Sequence, residues 1–371
     1  MKTIFKRIAV MLAVILAIGT LTACGNKEND AEGTTPNNTQ NETVNDTNNT
    51  ENNNENVTSD SDKNDEIIIG KVVTTVEEGC TYYVAETDTT LEAGAEIPAP
   101  NVGDKYETPD YMYTYGFEAG KETINEWNVK VKDKTKESYG ELAYSIAGNK
   151  LKYMYETFEG CKNLIEAPVI PSGITNMYRA YFECYSMVTA PVLPQGVTDI
   201  SAAFTYCTSL TVAPVIPEGV INMASTFSKC TNLTTAPVIP EGVEDMTCTF
   251  VECTSLTTAP AIPNSVTSMK STFDSCTSLT TAPVIPESVT NMEMTFYYCE
   301  SLTTAPVIPE NVTNMTSTFS RCVNLTGTIE INANPRKYKK CFDRVNFAEQ
   351  NLTLTGSSEK LEDLMNTGVI E

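Results

Sequence analysis

Among the side chains able to do chemistry, the cysteines carry the strongest pattern. There are twelve, and eight of them, Cys161, Cys184, Cys207, Cys230, Cys253, Cys276, Cys299 and Cys322, recur every 23 residues without one insertion. A thiol attacks carbonyls when a base activates it, ligates metal when clustered, and forms a disulfide when it faces another thiol. Histidine is absent altogether, which removes every Ser-His-Asp, Cys-His and His-metal constellation. Structural metal sites commonly use Cys-x-x-Cys, and the closest pair here is Cys248 and Cys253. Equivalent side chains of stacked repeats point the same way, which is poor geometry for bridging neighbours. The column also keeps step with Phe and Met, as small buried hydrophobes do. The spacing therefore predicts a ladder of free, buried thiols. Cys248 falls outside the column and is the candidate for an exposed, reactive thiol.

Catalysis without histidine needs paired carboxylates in a cleft or another activated nucleophile. Glu218, Glu241, Glu287 and Glu310 share one repeat position just after a proline. One per turn along a rod, they read as a solvated ridge. No Gly-rich phosphate loop is present. The pairs Thr234-Thr235, Thr257-Thr258, Thr280-Thr281 and Thr303-Thr304 stack in register. Such rows match ice or a crystalline polysaccharide when the hydroxyls face the same way, whereas adjacent residues of a regular strand point oppositely. They read as β-branched strand residues. The Pro-x-x-Pro recurrences read as a structural column rather than as ligands of Pro-reading domains. The positions that vary between units, Arg179, Tyr206, Lys229, Lys270, Tyr297, Tyr298 and Arg321 among them, lie between Met and Phe and between Phe and Cys. Aromatic and Arg side chains anchor interfaces, so Tyr206, Tyr297, Tyr298, Arg179 and Arg321 are the candidate contact residues. A net charge of −23 argues against nucleic acid, whose partners carry basic patches. No motif implies a cofactor or a metal.

The elements that position these groups follow from the repeat. Seven complete units run from Cys161 to Arg321, and one reads Cys276-Thr-Ser-Leu279-Thr-Thr-Ala282-Pro283-Val-Ile285-Pro286-Glu-Ser-Val289-Thr-Asn-Met292-Glu-Met-Thr-Phe296-Tyr-Tyr. The fixed columns are Cys, Leu, Ala, Pro, Ile, Pro, Val, Met and Phe. A short fixed period means a solenoid whose units stack only on their neighbours. Met292, Phe296 and Cys299 are spaced as one face of a helical turn. Proline fixes φ and removes ladder donors, so Thr-Ala-Pro-Val-Ile-Pro predicts strands of two to four residues, stacked as one narrow parallel sheet. The fold expected is an α/β repeat solenoid with short helical turns, a β-rich lead-in and a small C-terminal cap.

The order Ile-Pro, Val-Thr-x-Met, Phe-x-x-Cys-Thr-x-Leu resembles the BspA-type leucine-rich repeats of bacterial surface proteins. The resemblance covers about half of the chain. The family's usual units carry Ile-Gly and Ala-Phe where this chain has Asn-Met and Thr-Phe, and they lack the regular Ala-Pro. The resemblance implies a leucine-rich-repeat architecture and a surface or adhesion-related role. It carries over no catalytic or binding residue.

The flanks define five segments. Residues 1–23 read as a secretory signal, with Lys2, Lys6 and Arg7 ahead of an apolar run from Ile8 to Leu21 that is short for a membrane span. Leu21-Thr22-Ala23-Cys24 looks like a bacterial lipobox, so Cys24 is expected to carry a lipid. Eleven other cysteines remain, an odd number that excludes complete internal pairing. Removing residues 1–23 leaves a net charge of −26, which an anionic leaflet does not attract. The lipid must then hold the chain at the membrane. Residues 24–65 are a tether of Asn, Thr, Asp and Glu, predicted to be disordered, with a reach of roughly 35 Å. Residues 66–160 form the lead-in. Tyr111, Tyr113, Tyr115 and Phe117 alternate as a strand does, and so do Trp127, Val129 and Val131. Ser138 to Glu141 resembles a capping box opening a helix that Gly148 would close. Met154, Phe158 and Cys161 then enter the phase of the array, so the lead-in ends as an N-terminal cap of the solenoid at 161–322. In the cap at 323–371, Tyr338 and Phe342 keep their columns and Val345 replaces the cysteine. Asn351–Thr355 reads as a strand and Ser358–Asn366 as a helix, with Leu361, Leu364 and Met365 on one face.

These features predict a bacterial lipoprotein, lipid-anchored outside the cytoplasm and exposed at the cell surface. Its array would bind a host or bacterial surface protein or glycan without catalysis. Two other readings are an envelope spacer with no specific ligand, and an enzyme or solute-capturing lipoprotein with its site in the lead-in.

Overall fold

Alternating aromatic and β-branched residues build the first sheet. A computed structural model describes residues 100–146 and 149–368, with the backbone of 71–74 and 81–84. The expectations for residues 1–23, Cys24, the tether and Gly148 lie outside the described residues. Strands β1 (Lys71–Thr74), β2 (Thr81–Val84), β3 (Lys105–Glu107), β4 (Tyr111–Ala119) and β5 (Glu122–Val131) lie side by side in chain order, antiparallel except for the parallel β2–β3 pair. Tyr106, Tyr111, Tyr113, Trp127 and Val129 fill the buried face. Gly116 sits at φ +74° where the β4–β5 register shifts, and a Cβ there would meet Val102 Cγ1 at 2.7 Å.

No helix forms at Ser138–Glu141. The tyrosines of β4 hold this stretch extended: Tyr111 donates its hydroxyl to the Gly140 carbonyl at 2.7 Å, and the Tyr113 hydroxyl accepts the Ala143 N–H at 2.9 Å. The Gly140 N–H goes to Asp110. A helix would withdraw all these groups. A hairpin of β6 (Ser145–Ile146) and β7 (Asn149–Lys150) follows instead.

The solenoid grows directly from β5. Asn128 pairs in parallel with Tyr153, Tyr153 with Asn176, and the ladder continues through Asp199, Asn222, Asp245, Ser268, Asn291 and Asn314 to Lys337. From Asn176 onward each Asn or Asp of this column folds back on its own chain, as where the Thr247 N–H donates to Asp245 Oδ1 at 2.8 Å. This is the local turn that short Asx side chains favour.

The Met-Phe-Cys stretch is not helical, contrary to its spacing. Each unit holds two residues in the left-handed region, for example Cys248 at φ 59° and Glu252 at φ 56°. A right-handed helix tolerates neither. The N–H groups of Cys248, Phe250 and Glu252 reach out to the carbonyls of Lys270, Thr272 and Asp274 in the next unit. Those of Thr249, Val251 and Cys253 close turns onto Met246, Cys248 and Phe250. Half the donors thus stitch units together and half fold the unit.

Two recurring side chains complete this scheme, the threonine giving way to Ala180 and Ala203 in two units. Thr249 Oγ1 donates to the Met223 carbonyl of the preceding unit at 3.1 Å and to its own Met246 carbonyl at 2.8 Å. Cys253 Sγ donates to the preceding Phe227 carbonyl at 3.1 Å. The same thiol-to-Phe-column bond recurs at Cys184, Cys207, Cys230, Cys276, Cys299 and Cys322, onto Tyr181 in the case of Cys207. The thiols are therefore small buried donors as well as hydrophobes.

On the opposite side the prolines shorten the strands further than expected. Pairing is reduced to single bridges, such as Thr258 to Thr281 and Thr281 to Thr304. Where Ala-Pro ceases after Thr326, β8 (Gly327–Glu330) pairs in parallel over four residues with β9 (Leu352–Thr355), because every residue now has an N–H to give. Helix α1 (Leu361–Asn366) closes the chain on Leu364, while Met365 is exposed rather than on the packed face.

Between the two sides runs the core. The Leu, Ile, Val, Met, Phe and Cys columns are buried, with Ile262 only partly so. From Phe158 through Tyr181 to Phe342 the rings stack with centroids 5.1–5.8 Å apart and planes within 13°, a range where ring pairs add to area burial. Phe250→Ala should cost about 3–5 kcal/mol. Tyr181 carries a buried hydroxyl with no partner, so Tyr181→Phe should leave stability equal or raise it by about 1 kcal/mol. Urea unfolding of the two variants checks both.

Candidate binding face

The left-handed residues decide where the variable side chains go. Arg179 (φ 52°), Ala202, Ser225, Cys248, Ser271, Met294 and Ser317 form one column, and Glu183, Tyr206 (φ 64°), Lys229, Glu252, Ser275, Tyr298 (φ 57°) and Arg321 (φ 64°) form a second. Four of the five candidate residues thus occupy strained positions on one turn face, and Tyr297 precedes Tyr298. Both columns fall between buried residues of the Met, Thr, Phe and Cys columns. Their side chains are half-buried, apart from buried Ser271, and vary from unit to unit while the packing columns hold.

The face has two clusters. Near the N-terminal end, the Arg179 guanidinium lies 3.8 Å over the Phe182 ring and bonds Glu159 at 2.5 Å. Tyr206 meets Phe182 and Tyr185 edge-on at 5.7 and 6.2 Å. Lys229 stands 4.9 Å over Tyr206 and 3.2 Å from Glu252. Tyr206 and Glu252 hold its ammonium above the ordinary lysine value. Tyr155 stacks on Tyr178 at 4.9 Å in the units before. Toward the other end, Tyr297 and Tyr298 lie 6.2 Å apart, and Arg321 stands 5.4 Å over Tyr298. Lys270 pairs with Glu293 between the two clusters.

The structure therefore aligns the five candidates but does not gather them into one spot. Sequence reasoning missed Phe182 and Tyr185. Phe182 sits in the variable stretch between the Phe and Cys columns, so its signal was there to read.

Other groups find plainer places. Glu218, Glu241, Glu287 and Glu310 are exposed. Both members of each threonine pair are exposed, not alternately buried as a regular strand would have them. The prolines next to them prevent that strand. The Cys248 thiol is half-buried, and burial, with Asp274 nearby, raises it above the ordinary thiol value. That disfavours the thiolate a reactive cysteine needs. Burial also raises the column thiols, and Cys341 is pushed up to about 12. Among the described residues no group of three Cys, Asp or Glu is placed to hold a metal ion. A hollow of about 470 Å³ at the C-terminal end is lined by Val345, Asn346, Phe347, Ala348, Met365, Asn366 and Gly368, none of them titratable. No helix among the described residues is long and apolar enough to cross a membrane.

Residues 149–256 and 221–349 match the BspA type Leucine rich repeat region, in six copies. The match spans more than half of the chain, and the chain belongs to this family of leucine-rich repeats. Among solved structures, the leucine-rich repeat protein of T. pallidum is 21% identical with a TM-score of 0.42, covering 57% of this chain and 87% of that one. A leucine-rich repeat protein from Bacteroides ovatus is 16% identical with a TM-score of 0.31, covering 67% and 90%. Pneumococcal vaccine antigen PcpA is 13% identical with a TM-score of 0.35, covering 72% and 96%. No curated protein matches the chain by sequence.

Thiol accessibility follows from this geometry. In the native protein at pH 8 the eight column cysteines and Cys341 should resist alkylation, and all should react in denaturant. Peptide mass spectrometry after iodoacetamide reads this, and native modification at any column position would sink the burial argument.

Proposed function

We propose that this chain is a non-enzymatic binding protein of the bacterial cell surface, contacting its partner through the turn face of the repeat array. One observation carries the reading. Chemical variety is concentrated outside the packing columns, which stay nearly constant, and in the half-buried columns of the turn face this variety includes aromatic and Arg side chains. A stiff backbone presents them at low entropic cost, as interface anchors require. The partner proposed is a host or bacterial surface protein or glycan. The signal-like residues 1–23, the lipobox-like Leu21 to Cys24 and the acidic stretch 24–65 support an extracytoplasmic display, with a lipid on Cys24 as the membrane anchor.

Binding of the full chain to arrayed matrix proteins, mucin and bacterial polysaccharides tests the reading. Saturable binding is expected, weakened at least tenfold in a Tyr206→Ser, Tyr298→Ser variant, since truncating an aromatic anchor costs about 2 kcal/mol or more. Binding that both substitutions leave intact would move the contact off this face. No saturable binding at all would favour an envelope spacer.

A further inference from the structure

Charge is distributed unevenly around the array. The segments 188–192, 211–215, 234–238, 257–261, 280–284 and 303–307, six consecutive units, contain no charged residue, in a chain of net charge −23. Val192, Val215, Val238 and Val284 stand 86–89% exposed within them. Exposed Ala261 takes the same place in the fourth unit, and an exposed threonine lies toward the other end of each row, beside exposed Val188 in the first and Val212 in the second. Charges close the strip at both ends. Exposed Glu166 replaces the second threonine in the unit before, and exposed Glu330 replaces the valine in the unit after. The acidic ridge of Glu218, Glu241, Glu287 and Glu310 runs along the valine edge, beyond buried Ile and Pro residues.

We propose that this strip is the face through which two copies of the chain associate, side by side and parallel. A row of solvent-exposed valines is apolar surface that association would bury, and β-branched side chains lose little rotamer freedom in doing so. The strip is where two acidic chains can meet without bringing carboxylates together. A second copy also has the identical unit spacing, so six rows fall into register at once. The acidic ridge selects the orientation. A two-fold axis along the stack sets each valine column over the partner's threonine column and sends the two ridges to opposite edges. An axis across the stack would lay one ridge against the other. With rings spaced 5.6–5.8 Å between units and rows about five extended residues wide, the strip measures roughly 28 by 16 Å. That is smaller than the ~800 Å² per partner of a standard interface, so the pairing is reversible and weak. It uses a different face from the proposed ligand contact and does not rest on it.

Sedimentation velocity of the full chain across a concentration series tests this, beside a Val215→Asp, Val238→Asp variant. The parent should show a monomer–dimer equilibrium in the micromolar range, and the variant at least tenfold weaker pairing with unchanged circular dichroism and melting. Monomer at every concentration, or a dimer the variant leaves intact, overturns the proposal, and the former leaves the strip to a foreign partner. Orientation has its own readout. Ala190→Cys at the end of the strip should cross-link to its own copy under mild oxidation. Cross-linking only when Ala190→Cys is mixed with Ala305→Cys would overturn the parallel arrangement.

Discussion

Each unit of this chain leaves hydrogen-bonding groups whose partners lie only in the neighbouring unit. The two left-handed residues turn alternate N–H groups outward, and the next unit's carbonyls receive them. The carbonyls of the Met and Phe columns accept in the other direction, from the Thr hydroxyl and the Cys thiol of the unit that follows. Buried polar groups without partners cost about as much as a lost hydrogen bond each. No unit can therefore fold alone, and both ends must be closed. β5 supplies the first ladder through Asn128, and β9 pairs with β8 to supply the last.

Much of this was legible in the sequence. The period, the packing columns, the strands around Tyr111 and Trp127 and the closing strand and helix all follow from residue type and spacing. What escaped reading has a common cause. Met-Phe-Cys at i, i+4, i+7 fits one helical face, but it fits equally a run of turns whose left-handed positions carry Arg, Tyr, Lys or Met rather than glycine. Without glycine the conformation leaves no local mark. The Asn or Asp before most residues of the Met column was the available clue. The same applies to the thiols, because a column that tracks Phe betrays burial but not donation. Of the candidate site, the five residues were readable as variable positions. Their grouping into two clusters depends on cross-unit contacts such as Lys229 over Tyr206, which only the fold sets.

The division between fixed and variable columns links this packing to function. Buried residues that bond or stack between units change little, because each serves two neighbours, although Ala180 and Ala203 replace the threonine in two units. The turn face and the Thr-Thr-Ala-Pro-Val face also touch neighbouring units, as where Lys229 pairs with Glu252 and Thr234 Oγ1 donates to the Thr211 carbonyl, but these contacts lie outside the buried core. One collects aromatic and charged side chains, and the other stays uncharged through six units. A scaffold of this kind separates recognition from stability: exposed substitutions alter what is presented while the stack remains.

The claim that cross-unit side-chain bonds hold the stack is tested most directly by comparing Thr272→Val with Thr281→Val in urea unfolding. Thr272 is fully buried and donates to the Met246 carbonyl at 2.9 Å, whereas Thr281 is exposed. The substitutions are matched in size, so the difference isolates the buried hydroxyl. Thr272→Val is expected to lose about 1–3 kcal/mol, with Thr281→Val within about 0.5 kcal/mol of the parent. Equal stability of Thr272→Val and the parent would contradict the account.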